Sequence, residues 1–179
     1  MKFKLKFSLF AATLCLLAGA AQAQTATVSI TGRITTPACT ITADSVNMGD
    51  VPISQFDSST TPSSSYYRNF NVSLNSCDLT TLGSASIKFS GTSVSGDVSA
   101  LALTGGTGAA TGFGVKIEGN DTAHEPMKVA NFNGTNYFTW KLSLNRRTYT
   151  FRTFYIKIAS QTQKAGTANA TATVTLTYS

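Results

Sequence analysis

Histidine is almost absent from this 179-residue chain: His124 is the only one, and it is accompanied by a single tryptophan, three cysteines and four prolines. A copper- or zinc-binding β-sandwich needs several imidazoles, so that class is excluded. His124 beside Glu125 is the one acid/base pair on offer, and neighbouring residues on a strand face opposite sides. Charge is sparse as well, at 12% of residues, with 14 Lys and Arg against 8 Asp and Glu. Three of those lysines sit at the extreme N-terminus, and the remainder carries only +3, which does not suit a nucleic-acid binder. Lys141, Arg146, Arg147, Arg152 and Lys157 make the most basic stretch, and it reads as the solvated face of two strands, with an acidic-glycan or partner contact as the alternative. Gly91–Gly96, GTSVSG, lacks the spacing of a nucleophile elbow. Gly105–Gly114, GGTGAATGFG, neither follows a buried parallel strand nor opens a helix, and reads as a flexible turn rather than a phosphate loop. These absences lead to the expectation of no enzyme, no cofactor and no metal.

A long apolar run is also missing, apart from Phe7–Leu17. Lys2, Lys4 and Lys6 precede that run and Ala21-Gln22-Ala23 follows it. It is too short to cross a bilayer, so residues 1–23 read as a secretory signal and no membrane insertion is expected. Cys15 leaves with the signal. Cys39 and Cys77 remain, 38 positions apart in a secreted chain. A disulfide is the natural reading, worth about 4 kcal/mol on a chain-entropy estimate.

What the chain does have is alternation. In the last stretch, Gly166–Ser179, Ala168, Ala170, Ala172, Val174, Leu176 and Tyr178 alternate with Asn169 and four threonines. A helix cannot use period two, whereas a strand turns it into one apolar and one hydroxyl-rich face. No sequence follows that could cover the outer edge of that strand, and an open apolar edge invites pairing. At the start of the secreted chain Ala26, Val28, Ile30 and Gly32 alternate with Thr25, Thr27, Ser29 and Thr31. This second one-faced segment is either the first strand of the domain's own sheet or a strand reserved for another domain. Between the two ends, short apolar alternations recur, among them Asn47–Phe56, Tyr67–Cys77, Ala85–Phe89, Gly114–Ile117, Met127–Val129 and Tyr149–Ala159. Many short strands separated by Gly, Asn and Ser argue an all-β sandwich in one domain.

Thr31–Cys39, Leu74–Cys77, Gly112–Ile117 and the terminal AGTANATATVTLTYS together resemble the subunits of chaperone-usher fimbriae, the type 1 pilin-like family of Gram-negative bacteria. The most specific part is a glycine near the end, Gly166, with a penultimate aromatic, Tyr178. The resemblance implies an incomplete immunoglobulin-like sandwich, residues 34–179, completed by a donor strand from a chaperone or from a neighbouring subunit. It implies that residues 24–33 are the donor extension, with Ala26, Val28, Ile30 and Gly32 entering the groove of the next subunit. Gly166, Val174, Leu176 and Tyr178 would form the groove-facing C-terminal strand. The implied partners are a periplasmic chaperone, an outer-membrane usher and other subunits in a head-to-tail polymer, a fimbrium on the cell surface that supports adhesion. A minor tip or adaptor subunit, and a self-complete secreted binding sandwich, are the competing readings.

Overall fold

A computed structural model describes residues 27–33, 39–76, 83–122, 125–134, 136–141 and 147–178. The chain divides into two units, Met1–Ile34 and Thr35–Ser179. In the first, residues 27–33 form no regular secondary structure and are exposed throughout.

The second unit is all-β, as expected. Its only helical pieces among the described residues are two 3-10 turns, Ile53–Phe56 and Ser64–Tyr66. Nine strands are described: β1 (Thr40–Ala43), β2 (Arg68–Asn75), β3 (Ser84–Ser90), β4 (Ser93–Val94), β5 (Asp97–Ala102), β6 (Phe113–Gly119), β7 (Phe138–Lys141), β8 (Thr148–Lys157) and β9 (Thr173–Tyr178). The larger sheet runs β1-β2-β8-β6-β5-β4 and the smaller one β7-β3-β9, every pairing antiparallel.

Period two explains how the sheets face each other. On β3, Ala85, Ile87 and Phe89 are buried while Ser84, Ser86, Lys88 and Ser90 take the other face; on β2, Phe70, Val72 and Leu74 are buried. Their inward faces meet around Phe151 of β8. That ring lies 4.9 Å from Phe89 and 5.0 Å from Phe138, both edge-on, and stacks on Tyr149 at 4.5 Å. Edge-on and offset contacts are the arrangements aromatic quadrupoles favour. Beyond Thr153 the strand is apolar on its other face too. Phe154, Ile156 and Ile158 pack there with Val94 and Ala100, and Tyr67 stacks on Phe154 at 4.1 Å. β8 therefore carries buried side chains on both faces and is paired on both edges.

Three segments differ from the sequence expectation. Asn47–Phe56 carries no strand: Gly49 is left-handed, at φ +65°, its N–H donates to the Asn47 side chain, and Pro52 leads into the first 3-10 turn. Met127–Val129 contributes a single bridge, Val129 to Glu118, because Glu125 and Met127 both take positive φ. The terminal strand begins at Thr173, seven residues after Gly166. The residues before it are engaged elsewhere. Lys164 and Thr111 exchange main-chain bonds, Thr167 and Gly108–Ala110 do the same, and Thr104 N–H donates to Asn169 O at 2.7 Å. The expected flexible turn at Gly105–Gly114 is thus fastened by its main chain to residues 164–169.

Candidate functional site

The alternation at the chain's end survives in its burial, even where no strand forms. Ala168, Ala170, Ala172, Val174 and Leu176 are half-buried, whereas Asn169, Thr171, Thr173, Thr175 and Thr177 are exposed. Ala170, Ala172, Val174 and Leu176 pack against the main core. They stay half-exposed because β9 pairs only with β3, through Val174–Phe89 and Leu176–Ile87, and no described strand pairs with its other edge. On the larger sheet β1 is likewise an edge, paired only with β2.

Between the two edges runs an open groove of about 870 Å³. Ala43–Val51 form one lip and Ala165–Ala172 with Val174 the other; Phe70, Phe89, Val115 and Tyr155 are among the residues of the floor. The floor of the groove is largely apolar, its lips mix apolar and polar residues, and the strand edges beside it have no described partner strand. Such a site accepts an extended segment whose alternate side chains are apolar.

Its far end is fixed by a close approach of two main chains. A Cβ on Gly166 would lie 2.3 Å from Gly108 O, 2.6 Å from Ala109 C and 2.7 Å from Ala110 N. Only glycine fits. Tyr155 braces the same end by donating its hydroxyl to Ala168 O at 2.6 Å, and burial raises its pKa.

The expected residues fall as follows. Gly166 and Val174 line the groove, though Gly166 lies ahead of the strand rather than in it. Leu176 lies on the same face but past the groove lining, and Tyr178 is placed by its backbone, opposite Ala85. Val28 and Ile30 are 80% and 90% exposed, and nothing lies near Gly32. Ala26, Cys77, His124 and Arg146 lie outside the described residues. Cys39 is disulfide-bonded and packs against the core. The basic stretch is partly committed: Arg152 donates to Glu118 Oε2 at 2.7 and 2.9 Å, and Lys157 donates to Phe56 O. Among the described residues no cluster of His, Cys, Asp and Glu could hold a metal, and no helix is long and apolar enough to cross a membrane. The sequence reading takes Asn47–Phe56 as a strand and assigns Ser45–Val51 no part in a groove; Gly49 and Pro52 are the signal against a strand there.

A sequence profile described as fimbrial protein matches residues 28–179. The chain belongs to the fimbrial protein family. This fimbrial protein is 32% identical to a type-1 fimbrial protein subunit of Serratia marcescens, across 98% of each chain. Its fold is similar to that of the P pilus rod subunit PapA, with a TM-score of 0.62 at 18% identity over 86% of this chain and 100% of PapA. It also resembles part of the CupB6 tip adhesin of Pseudomonas aeruginosa, with a TM-score of 0.56 at 27% identity over 74% of this chain and 34% of the adhesin. The incomplete sandwich expected from the sequence agrees with these folds, and the family is one of structural subunits.

Proposed function

We propose that this chain is a structural subunit of a cell-surface fimbria of the chaperone-usher kind and that it polymerises head to tail by strand addition. The segment 24–33 of one copy lies along β9 in the groove of the next, with Ala26, Val28, Ile30 and Gly32 directed inward. Before assembly a periplasmic chaperone fills the groove, and an outer-membrane usher exchanges its strand for the neighbour's. Residues 1–23 are the export signal, and Cys39 pairs with Cys77 to close the sandwich during its passage through the periplasm. The role is mechanical and non-catalytic.

The observation that carries this reading is the coexistence of a groove with a largely apolar floor, beside a strand edge that has no described partner, and a tail whose two largest apolar residues are exposed. Leaving Val28 and Ile30 in water forfeits about 1.5 to 3 kcal/mol each, which burial in a neighbour recovers. The contact is heterologous and does not close on itself, so its product is a filament.

The test uses the secreted chain with Val28→Asp and Ile30→Asp, which silences its own tail, and a synthetic peptide of residues 24–34. The native peptide raises the melting midpoint by many degrees, while a peptide carrying the same two aspartates does not. A midpoint indifferent to both peptides would show that the sandwich is complete without a donor, and the self-contained binding module would replace the fimbrial subunit.

A further inference from the structure

A chain that assembles by adding strands must confine the addition to one place. Two sheets have four edges. β1 and β9 flank the groove, and β4, the third edge, is only two residues long, too short to template another strand. The fourth edge is β7. It pairs with β3 on one side, and among the described residues no strand lies on the other.

Two main-chain groups on that outer side are nevertheless taken. Thr139 N–H donates to Glu125 Oε2 at 3.1 Å, and Lys128 Nζ donates to the Tyr137 carbonyl. Tyr137 and Thr139 are two residues apart, so their main-chain groups point the same way, away from β3. The two capping side chains are joined by an ion pair of 2.8 Å, and the ammonium lies 5.5 Å from the centre of the Phe138 ring. A carboxylate acceptor and an ammonium donor thus occupy the positions where an added strand would bring its C=O and N–H.

The loop that carries the pair is held at some conformational cost. Glu125 and Met127 have φ of 36° and 66°, in the left-handed region that L side chains avoid. Main-chain bonds clamp it to β6: Gly119 N–H donates to Lys128 O at 2.9 Å, Met127 N–H to Gly119 O at 2.8 Å and Ala130 N–H to Ile117 O at 2.8 Å. Gly119 permits the approach, since a Cβ there would lie 2.6 Å from Glu125 O. A partly exposed ion pair contributes little stability by itself. Its placement, rather than its strength, accounts for the strained loop.

We propose that the Glu125–Lys128 pair is an edge plug, which occupies the outward carbonyl of Tyr137 and the outward N–H of Thr139 and so closes β7 to strand addition by a second copy of this chain. The inference rests on the strand-addition reading above and adds to it a residue pair that keeps the filament unbranched.

The test takes the secreted chain with Val28→Asp and Ile30→Asp, saturates it with the 24–34 peptide, and follows self-association by sedimentation. With the groove filled, the chain stays monomeric; adding Glu125→Ala and Lys128→Ala makes it associate at a concentration lower by about tenfold or more, the factor a hydrogen bond to a charged group represents. Glu125→Gln, which keeps an acceptor, restores the monomer. A double variant that stays monomeric overturns the plug alone, whereas a chain that ignores the peptide overturns the strand-addition reading and the plug's function with it. Amide hydrogen exchange in the wild-type chain needs no variant. Thr139 must exchange about tenfold or more slowly than an exposed amide, and an unprotected Thr139 overturns the proposal whatever the variants do.

Discussion

Replacing Gly166 by alanine adds one methyl group at the point where two main chains touch. The new carbon would meet Gly108 O at 2.3 Å, Ala109 C at 2.6 Å and Ala110 N at 2.7 Å, all backbone atoms that cannot rotate out of the way. The segments must separate by several tenths of an ångström. That strains the bonds between Thr167 N–H and Gly108 O and between Ala110 N–H and Thr167 O, each 2.9 Å long. Overpacking of this kind costs about 1 to 3 kcal/mol, and the loosened bonds bring the expected loss to about 2 to 3 kcal/mol. For a chain of this length that lowers the melting midpoint by roughly 4 to 12 °C. The same displacement moves the end of the groove, so the 24–34 peptide binds more weakly to the variant. Gly105→Ala is the control, because nothing lies within 4 Å of a Cβ there. A thermal melt of the oxidised chain reads both. A Gly166→Ala midpoint within a degree of Gly105→Ala would refute the claim that backbone contact requires glycine at this position.

Two further outcomes follow from the groove lip and from a turn in β5. Val174→Asp places a charge among the groove-lining side chains and abolishes the stabilisation by the 24–34 peptide, while Thr175→Asp, on the exposed face, leaves it intact; melts with and without peptide separate them. Asp97 Oδ1 accepts from Ser99 Oγ at 2.6 Å and from Ser99 N at 2.9 Å, and the side-chain bond is the main cause of a pKa below the ordinary 3.8. A lowered carboxyl pKa stabilises the fold above the unfolded value and is lost as pH falls through the folded one. Ser99→Ala therefore costs up to about 1 kcal/mol at neutral pH, discounted for solvent screening, and the gap to wild type closes in melts well below pH 3.8.

Alternation made β2, β3 and β9 legible, because Phe70, Val72 and Leu74, or Ala85, Ile87 and Phe89, announce a face without reference to any neighbour. The same signal overran its strand at the C-terminus. Ala168, Ala170 and Ala172 keep the period and the burial, but the main chain before them is bonded to residues 104–111, and strand pairing starts only at Thr173. Side-chain period reports which face is apolar; it does not report where the backbone bonds go. Gly166 stood out through family resemblance, and its physical reason, the approach of Gly108–Ala110, lies in contacts some sixty residues apart. The plug at Glu125 and Lys128 was invisible for a different reason. It depends on left-handed backbone at two residues that carry no sequence mark of it.

Residues 165–174 run along one lip of the groove into the start of β9, so the proposed added segment would be held there by a row of main-chain bonds set across the direction of pull. Tension on the fibre then loads that row as a lap joint is loaded, in shear, with every bond sharing the force. A hairpin opened from its end gives way one bond at a time. On the proposed strand addition the length of the seam anchors each subunit, and a tail shortened by two residues should fail under pull well before it fails under heat.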